Sequence, residues 1–263
     1  MTTENSPEQT FTVTLDLWQT LIAEKDGGQK SPGRRQLRAV AASDAIRSHG
    51  LLASPAQVLE AMAQLDPMIV RDEELGMALL YLDRVSQLLS LVDEHLPGDL
   101  GEAGVRAVAS AIDGTFLERP SSFLPGAHEA LERLRLLGVS VGLISNTSLT
   151  SAEVYREWFR REGVLDFFAF TVFSNDVGCS KPNPDIFNRV FSAEGALPER
   201  SLHIGDNLLA DVSGAAGVGM RTGWISGYDK REPVVAPDYT LKDITEAPGV
   251  VERWLRASEA SGV

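Results

Sequence analysis

Short β-like runs alternate with helical patterns along most of the chain, and this alternation constrains the fold more than any other feature of the sequence. The runs cover residues 11–15, 139–144, 170–173, 202–204 and 222–225. Helical patterns separate the later runs, and each ends at a glycine, which is typical of a helix terminus. Strands that alternate with helices of this length predict βαβ units and an α/β fold with a doubly wound parallel sheet.

A long helical segment interrupts this alternation after the first run. Residues 24–120 contain no convincing strand but four amphipathic patterns, over 34–49, 55–65, 73–94 and 102–117. An insertion of roughly ninety residues has the size of a small domain. We therefore predict an α/β core domain formed by residues 1–23 and 121–263, and a helical cap domain formed by residues 24–120.

The charge of the chain limits its partners. A formal net charge of −13 argues against binding to nucleic acid or to a membrane surface, both of which require basic patches. It leaves open a small anionic substrate, because a local cation can reverse the field inside a site. Cys179 is the single cysteine, and residues 1–10 lack the basic and apolar regions of a signal peptide. We therefore expect a cytoplasmic protein, and the sequence leaves its oligomeric state open.

Polar residues suited to catalysis follow the predicted strands. In chain order they are Asp16 and Thr20, Ser145 and Asn146, Lys181 in "GCSKPNPDIF", and Asp206 and Asp211 in "HIGDNLLAD". Open parallel sheets place their sites at the carboxyl ends of the strands, where these residues would meet. Carboxylates are suitable ligands for Mg²⁺, and a lysine and a hydroxyl can bind a tetrahedral oxyanion. This set suits an aspartate nucleophile that attacks phosphorus.

The four motifs, in this order, resemble those of the haloacid dehalogenase-like (HAD) hydrolase superfamily, in the branch with an inserted helical cap (C1 type). The resemblance covers about residues 12–225. It implies that Asp16 is the covalent nucleophile and that Thr20 and Ser145 belong to the first two motifs. It also implies that Ser145 binds the transferred group and that Lys181 steadies both nucleophile and phosphate.

The same resemblance implies a Mg²⁺ site. Asp16, Asp206 and the backbone carbonyl of Trp18 would bind the ion, and Asp211 would support the loop or the metal. His203 lies in the same apolar run as the start of this motif, and we predict a buried core histidine there rather than a catalytic base.

Trp18 departs from the pattern of the family's phosphatases. They usually have an aspartate two residues after the nucleophile as a general acid and base, and an indole cannot exchange that proton at neutral pH. Haloacid dehalogenases also lack this aspartate, but they use no Mg²⁺ and need not keep the acidic fourth motif. We therefore favour Mg²⁺-dependent hydrolysis of a small phosphorylated substrate through an aspartyl-phosphate. The alternatives are a 2-haloacid dehalogenase and a binding or regulatory protein that has lost turnover.

Three arginines, Arg34, Arg35 and Arg38, begin the first predicted helix of the insertion. Such charges either face solvent or bind the carboxylate or phosphate of a substrate through the planar guanidinium. We predict that Arg34 and Arg35 bind substrate, together with Asn146 and the aromatic face of Trp18.

Overall fold

A six-stranded parallel sheet organises the computed structural model, which describes residues 11–24 and 32–261. The strands in this part of the chain are β1 (Thr12–Leu15), β2 (Ile22–Ala23), β3 (Ser122–Phe123), β4 (Ser140–Ser145), β5 (Phe170–Phe173), β6 (Ser201–Gly205), β7 (Arg221–Ile225) and β8 (Tyr239–Leu241). The sheet has the order β5-β4-β1-β6-β7-β8, and every neighbouring pair is parallel. The predicted parallel α/β fold is confirmed, and β1 lies at its centre.

Helices connect and cover these strands. Within the described ranges they are α1 (Pro32–Ser48), α2 (Pro55–Glu74), α3 (Tyr81–Val92), α4 (Leu96–Glu118), α5 (Ala127–Leu136), α6 (Ala152–Arg161), α7 (Ser174–Val177), α8 (Pro184–Glu194), α9 (Gly214–Gly217) and α10 (Ala247–Ser261). We call α1–α4 the helical insertion. All four lie between β2 and β3, in the segment where the sequence predicts helices and no strand.

One predicted helix of the insertion has the wrong bounds. The pattern over residues 73–94 predicts a single helix, but α2 continues through Pro67 to Glu74 and α3 begins only at Tyr81. Gly76, which lies between them, has φ +70°, a backbone conformation that interrupts a right-handed helix. The apolar spacing continues across this break, so periodicity alone does not locate it.

Two short pairings of strands were not predicted. β2 and β3 form an antiparallel pair where the chain leaves the sheet for the helical insertion and returns. β8 adds a three-residue edge strand beside β7. Both are too short to give a period-two pattern in the sequence. In addition, residues Leu208–Ser213 form a π-helical turn where an α-helix is predicted.

Two main hydrophobic clusters support the site. The first lies between the sheet and helices α5, α6 and α10, and the second lies among the helices of the insertion. Phe116 of α4 belongs to the first cluster, whereas Leu149, which follows β4, belongs to the second. The insertion therefore packs against the loop at the carboxyl end of β4. The division into two domains at residues 24 and 121 stays a prediction.

No helix in the described part of the chain is both long enough and apolar enough to cross a membrane. The expectation drawn from residues 1–10 concerns positions outside the described residues.

Candidate active site

The ammonium group of Lys181 lies at the centre of the site. Its Nζ is 2.7 Å from Oδ1 of Asp16, 2.7 Å from Oδ1 of Asp211 and 2.7 Å from the carbonyl oxygen of Ile144. Only 1% of the Lys181 side chain is exposed. An ammonium group has three N–H donors, so the protein uses all of them. Lys181 thus joins the ends of β1 and β4 to the turn that follows β6.

Burial and charge act in opposite directions on this cluster. Burial alone would lower the pKa of Lys181, but the charges of Asp16 and Asp211 outweigh it and raise that pKa above its usual range. Burial would raise the pKa of Asp211, but Lys181 and His203 hold it well below its usual range. Burial raises the pKa of Asp16 to about 6, although Lys181 opposes the shift. Lys181 and Asp211 therefore form a persistent ion pair beside Asp16.

The carboxylate of Asp211 is fully engaged by the protein. Besides Lys181, it accepts hydrogen bonds from Nε2 of His203, at 3.1 Å, and from the backbone N–H of Asn207, at 2.9 Å. Gly205 allows this close approach, because a Cβ at that position would lie 2.2 Å from Oδ2 of Asp211. The sequence left two roles open for Asp211, support of the loop and binding of the metal. These bonds favour the supporting role.

His203 is buried and both of its ring nitrogens are hydrogen-bonded. Burial lowers its pKa, so the ring is neutral. Because the Asp211 carboxylate can only accept, Nε2 carries the proton and Nδ1 accepts from the hydroxyl of Thr14, at 2.8 Å. The prediction of a buried core histidine is confirmed, and the histidine also orients Asp211.

Asp206 completes an acidic group that fits a magnesium ion. Carboxylate oxygens of Asp16, Asp206 and Asp211 lie within 4.8 Å of one another. Burial, followed by the charges of Asp16 and Asp211, raises the pKa of Asp206 to about 8. Three carboxylates beside one ammonium leave excess negative charge, and oxygen ligands are those that Mg²⁺ prefers. Asp206 and Asp16 are the side chains best placed to bind a magnesium ion; participation of the Trp18 carbonyl stays a prediction.

The residues at the end of β4 contact the loop between α7 and α8, residues 178–183, which we call the Lys181 segment. Ser145 is completely buried, and its hydroxyl donates to the carbonyl oxygen of Asn146 at 3.3 Å. The Asn146 side chain donates to the carbonyl of Lys181 at 2.9 Å and accepts from its backbone N–H at 2.8 Å. Asn146 therefore holds the backbone of Lys181 in place, a role that the sequence did not predict. Thr20 is also buried, and its hydroxyl has no hydrogen-bond partner in the described part of the chain.

The Lys181 segment also contacts the helical insertion. The backbone N–H of Ser180 and the side-chain amide of Asn183 both donate to the carbonyl oxygen of Gly76, each at 3.2 Å. The Ser180 hydroxyl donates to the carbonyl of Met77 at 2.9 Å. The break between α2 and α3 is thus the place where the insertion touches the loop that carries the central lysine.

The indole of Trp18 is half-buried and packs against the first hydrophobic cluster. Its Nε1 donates a hydrogen bond to the hydroxyl of Tyr155, on α6, at 3.2 Å. The following residue, Gln19, has φ +60°, which is rare for a residue with a side chain and is typically found where function requires it. The sequence does not single out Tyr155, because nothing in the pattern of α6 distinguishes it from other buried aromatic residues.

A cavity of about 270 Å³ lies between the helical insertion and this edge of the sheet. Residues on its wall include Trp18, Gln19, Arg34, Arg35, Arg38, Asn146, Thr147, Thr150 and Tyr155. The predicted substrate-binding residues therefore line one cavity, next to the loop that follows Asp16. Their contacts with a substrate stay a prediction.

Two of the arginines in this cavity already have protein partners. The buried guanidinium of Arg34 donates to Glu24 at 2.6 Å, to the carbonyl of Arg119 at 3.1 Å and to the hydroxyl of Ser121 at 3.2 Å. Arg35 forms a 2.6 Å salt bridge with Asp66. Arg34 therefore joins the insertion to the segments that flank it, and Arg35 joins α1 to α2 within the insertion, whether or not either contacts substrate.

Comparison with protein families gives one extensive match. A sequence model described as haloacid dehalogenase-like hydrolase matches residues 12–219. This range includes β1, the whole helical insertion and the loops that carry Lys181, Asp206 and Asp211.

Curated relatives match shorter parts of the chain. A glyceraldehyde 3-phosphate phosphatase from Pyrococcus furiosus is 33% identical over 132 residues, which are 49% of this chain and 53% of that protein. The pyrimidine 5'-nucleotidase YjjG from Escherichia coli is 31% identical over 57% of this chain and 62% of its own length. A phosphoserine phosphatase from Thermus thermophilus is 31% identical over 46% of this chain and 48% of its own length. The chain spans about half the length of these relatives.

Solved structures agree with the fold over nearly all of the chain. The HAD-hydrolase YfnB from Bacillus subtilis, bound to magnesium, has a TM-score of 0.57 at 17% identity and covers 93% of this chain and 100% of its own. A 2-haloacid dehalogenase from Pseudomonas syringae has a TM-score of 0.57 at 22% identity and covers 93% of this chain and 99% of its own. At these identities the likeness concerns the fold alone.

Proposed function

Because the chain belongs to the haloacid dehalogenase-like hydrolase family, we propose that it hydrolyses a small phosphorylated substrate, with Mg²⁺, through an aspartyl-phosphate (an acyl phosphate) at Asp16. The observation that carries this proposal is the placement of Asp16 between a buried lysine and a second acidic group, Asp206. A carboxylate nucleophile approaches a phosphate only when cations offset their repulsion. The phosphatase names of the curated relatives support the same chemistry.

In the proposed reaction Asp16 acts through the oxygen that Lys181 does not hold. Lys181 fixes Oδ1, so Oδ2 is free to form a bond to phosphorus while the bond between phosphorus and the leaving-group oxygen breaks. Water then cleaves the aspartyl-phosphate and releases inorganic phosphate. Mg²⁺ bound by Asp16 and Asp206 would supply positive charge to the phosphate oxygens. Ser145 lies at the end of the neighbouring strand, where its hydroxyl could bind the transferred group.

Asp211 and His203 act in this proposal as positioning residues. Asp211 contacts Lys181 directly, and His203 acts on Lys181 through Asp211. The protein already uses both side chains, so neither is proposed to contact a substrate. Because all three donors of Lys181 are used by the protein, its main contribution is the orientation and charge compensation of Asp16.

A second candidate function follows from Trp18. The indole cannot protonate a leaving group, and its N–H is already bonded to Tyr155. A halide leaves without a proton, so hydrolysis of a small 2-haloacid, with Asp16 attacking carbon, is the alternative activity. The acidic group that includes Asp206 favours phosphate chemistry, because a halide requires no magnesium site.

The deciding experiment measures release of phosphate and of halide from panels of phosphate esters and 2-haloacids, each with Mg²⁺ and with a chelator. Phosphate release that requires Mg²⁺ supports the proposal, whereas chelator-insensitive halide release supports the alternative. Asp16→Asn should reduce either activity by at least about a thousandfold. Asp166→Asn, which changes an exposed carboxylate elsewhere, is the matched control. If Asp16→Asn keeps more than a few per cent of wild-type turnover, Asp16 is not the nucleophile.

A further inference from the structure

Arg38 differs from Arg34 and Arg35, the other two arginines in the cavity beside the loop that follows Asp16. Those two pair with carboxylates, namely Arg34 with Glu24 and Arg35 with Asp66. No carboxylate forms a salt bridge with Arg38 in the ranges that the structure describes. Its Nη2 donates to the hydroxyl of Thr150 at 2.6 Å, and its buried Nε has no hydrogen-bond partner there. Arg38 therefore lacks a salt-bridge partner, and its Nε is a donor without an acceptor in the described ranges.

A half-buried guanidinium without a carboxylate partner is unfavourable, which argues that a ligand completes its contacts. Burial lowers the pKa of Arg38, a sign that its cationic form is poorly solvated. Burying a charge without a partner costs free energy, and proteins normally compensate it with an opposite charge. Because Arg38 lines a cavity rather than a packed interior, a ligand can supply that charge.

Two other incomplete polar groups lie on the same cavity wall. Oε1 of Gln19 and Oγ1 of Thr147 are both buried without a hydrogen-bond partner in the described part of the chain. Gln19 is also the residue with the strained positive φ, immediately after Trp18. An amide and a hydroxyl near a lone guanidinium can bind the polar substituents of a small molecule. Three unsatisfied groups on residues around one cavity favour a binding site over three separate defects.

We infer that this cavity receives the leaving group of the substrate, and that the leaving group is a short hydroxy acid whose carboxylate binds Arg38. This inference rests on the proposed phosphatase function and adds the class of substrate, a phosphorylated hydroxy acid. Trp18 and Gln19 follow Asp16 by two and three residues and line the cavity, so a group bound there lies beside the loop that follows Asp16.

Charge and size favour a carboxylate over a second phosphate. One guanidinium without a salt bridge matches one negative charge, and its planar edge suits the two oxygens of a carboxylate. Glu24, Asp66 and Glu73 also line the cavity, so additional negative charge in the ligand is unfavourable. A volume of about 270 Å³ lies just below the range of about 300–1,000 Å³ typical for drug-sized ligands, which favours a leaving group of a few carbon atoms.

The first test compares matched pairs of substrates that differ only in a carboxylate. The pairs are phosphoglycolate with ethyl phosphate, and phosphoserine with phosphoethanolamine. Wild-type enzyme should have a higher kcat/KM for the acid of at least one pair. Arg38→Gln should lower kcat/KM for that acid by about 10–100-fold, the range expected for loss of a charged hydrogen bond. The kcat/KM of this variant for the partner substrate without a carboxylate should change by less than about threefold, because that substrate makes no such contact.

Controls separate this role from a structural one. Arg38→Lys keeps the charge but not the planar group, so it should lower kcat/KM for the acid by about tenfold and leave its partner without a carboxylate unchanged. The same variant replaces Arg38→Gln if that variant does not fold. Arg47→Gln removes an exposed arginine from the same helix and should leave both substrates unaffected. If Arg38 variants reduce both members of each pair equally, or neither, the inference is wrong while the phosphatase proposal stands.

A second test does not depend on turnover. Titration with glycolate should change the intrinsic fluorescence of Trp18, which lines the cavity, in a saturable manner. Trp18→Phe should remove the signal, and Arg38→Gln should weaken binding by at least about tenfold. If no phosphate ester is hydrolysed but this binding is observed and requires Arg38, the carboxylate site is supported and the phosphatase proposal fails. If wild-type enzyme hydrolyses esters but prefers no acid and shows no saturable response, the carboxylate site is refuted.

Discussion

Replacing Asp206 by asparagine should stabilise the metal-free protein, even though Asp206 belongs to the proposed magnesium site. In the folded protein, burial and the nearby charges of Asp16 and Asp211 raise its pKa from 3.8 to about 8. In the unfolded chain the group ionises with its ordinary pKa. A folded-state pKa above the unfolded value means that ionisation opposes folding as soon as the pH exceeds about 4. The free-energy cost of ionising Asp206 in the folded protein increases with pH and reaches its full value once the pH passes about 8.

The expected size follows from this shift. Each pKa unit corresponds to about 1.4 kcal/mol, and solvent screening of the partly exposed Asp206 side chain reduces the total to about 2–3 kcal/mol. For a chain of this size that free energy raises the melting temperature by roughly 4–12 °C. The gain should be largest at pH 8 and smaller at pH 5, because most Asp206 is protonated in the folded protein at pH 5.

Thermal unfolding with a chelator and with Mg²⁺ tests the argument. At a Mg²⁺ concentration one hundred times the Kd, the wild-type protein should gain about 2.7 kcal/mol. Asp206→Asn should gain much less, because a charged ligand is lost. Asp166→Asn, an exposed carboxylate outside the site, should follow the wild-type protein in both conditions. The reasoning is refuted if Asp206→Asn lowers the melting temperature in chelator at pH 8, or if it retains the full stabilisation by Mg²⁺.

Three further substitutions test the rest of the site. Lys181→Met should cost about 3–5 kcal/mol of unfolding free energy in urea, since it leaves Asp211 buried without its partner; a loss below about 1 kcal/mol would contradict the ion-pair network. Gly76→Ala should lower the melting temperature and kcat together. The added Cβ would lie 2.8 Å from Cβ of Asn183, and the backbone at this position has a conformation that disfavours alanine. Unchanged kinetics would show that this contact does not influence Lys181. Trp18→Asp should speed hydrolysis of alkyl phosphates by up to about 10²–10⁴-fold relative to aryl phosphates, and native enzyme with no dependence on the leaving-group pKa would show that another residue supplies the proton.

The parallel sheet and the position of the reactive residues followed from the sequence itself. Buried strands such as β1 and β6 are short apolar runs, and the glycines that end helices are visible in the printed chain. Because every strand of such a sheet points the same way, polar residues just after β1, β4 and β6 must meet at one edge. The sequence alone therefore groups Asp16, Ser145 and Asp206.

The tertiary structure decided which partners these residues have. Arg34, Arg35 and Arg38 lie within five positions of one helix, and the sequence predicts substrate binding for the first two without any pattern that distinguishes them from the third. Only the fold pairs the first with Glu24 and the second with Asp66, and leaves Arg38 facing a cavity. Helical periodicity specifies a face, whereas the carboxylates opposite that face come from other segments.

The same distinction explains Asp211 and Lys181. Their residue types indicated a charged site, but the complete use of the three lysine donors depends on groups far apart in the chain. Asp16 and Lys181 are separated by 165 positions and approach to 2.7 Å. Local sequence determines strands, caps and reactive groups because those depend on neighbouring residues. Which charges are compensated, and which remain for a ligand, depends on long-range packing, because the strength of an ion pair is set by burial and by distances that only the folded chain defines.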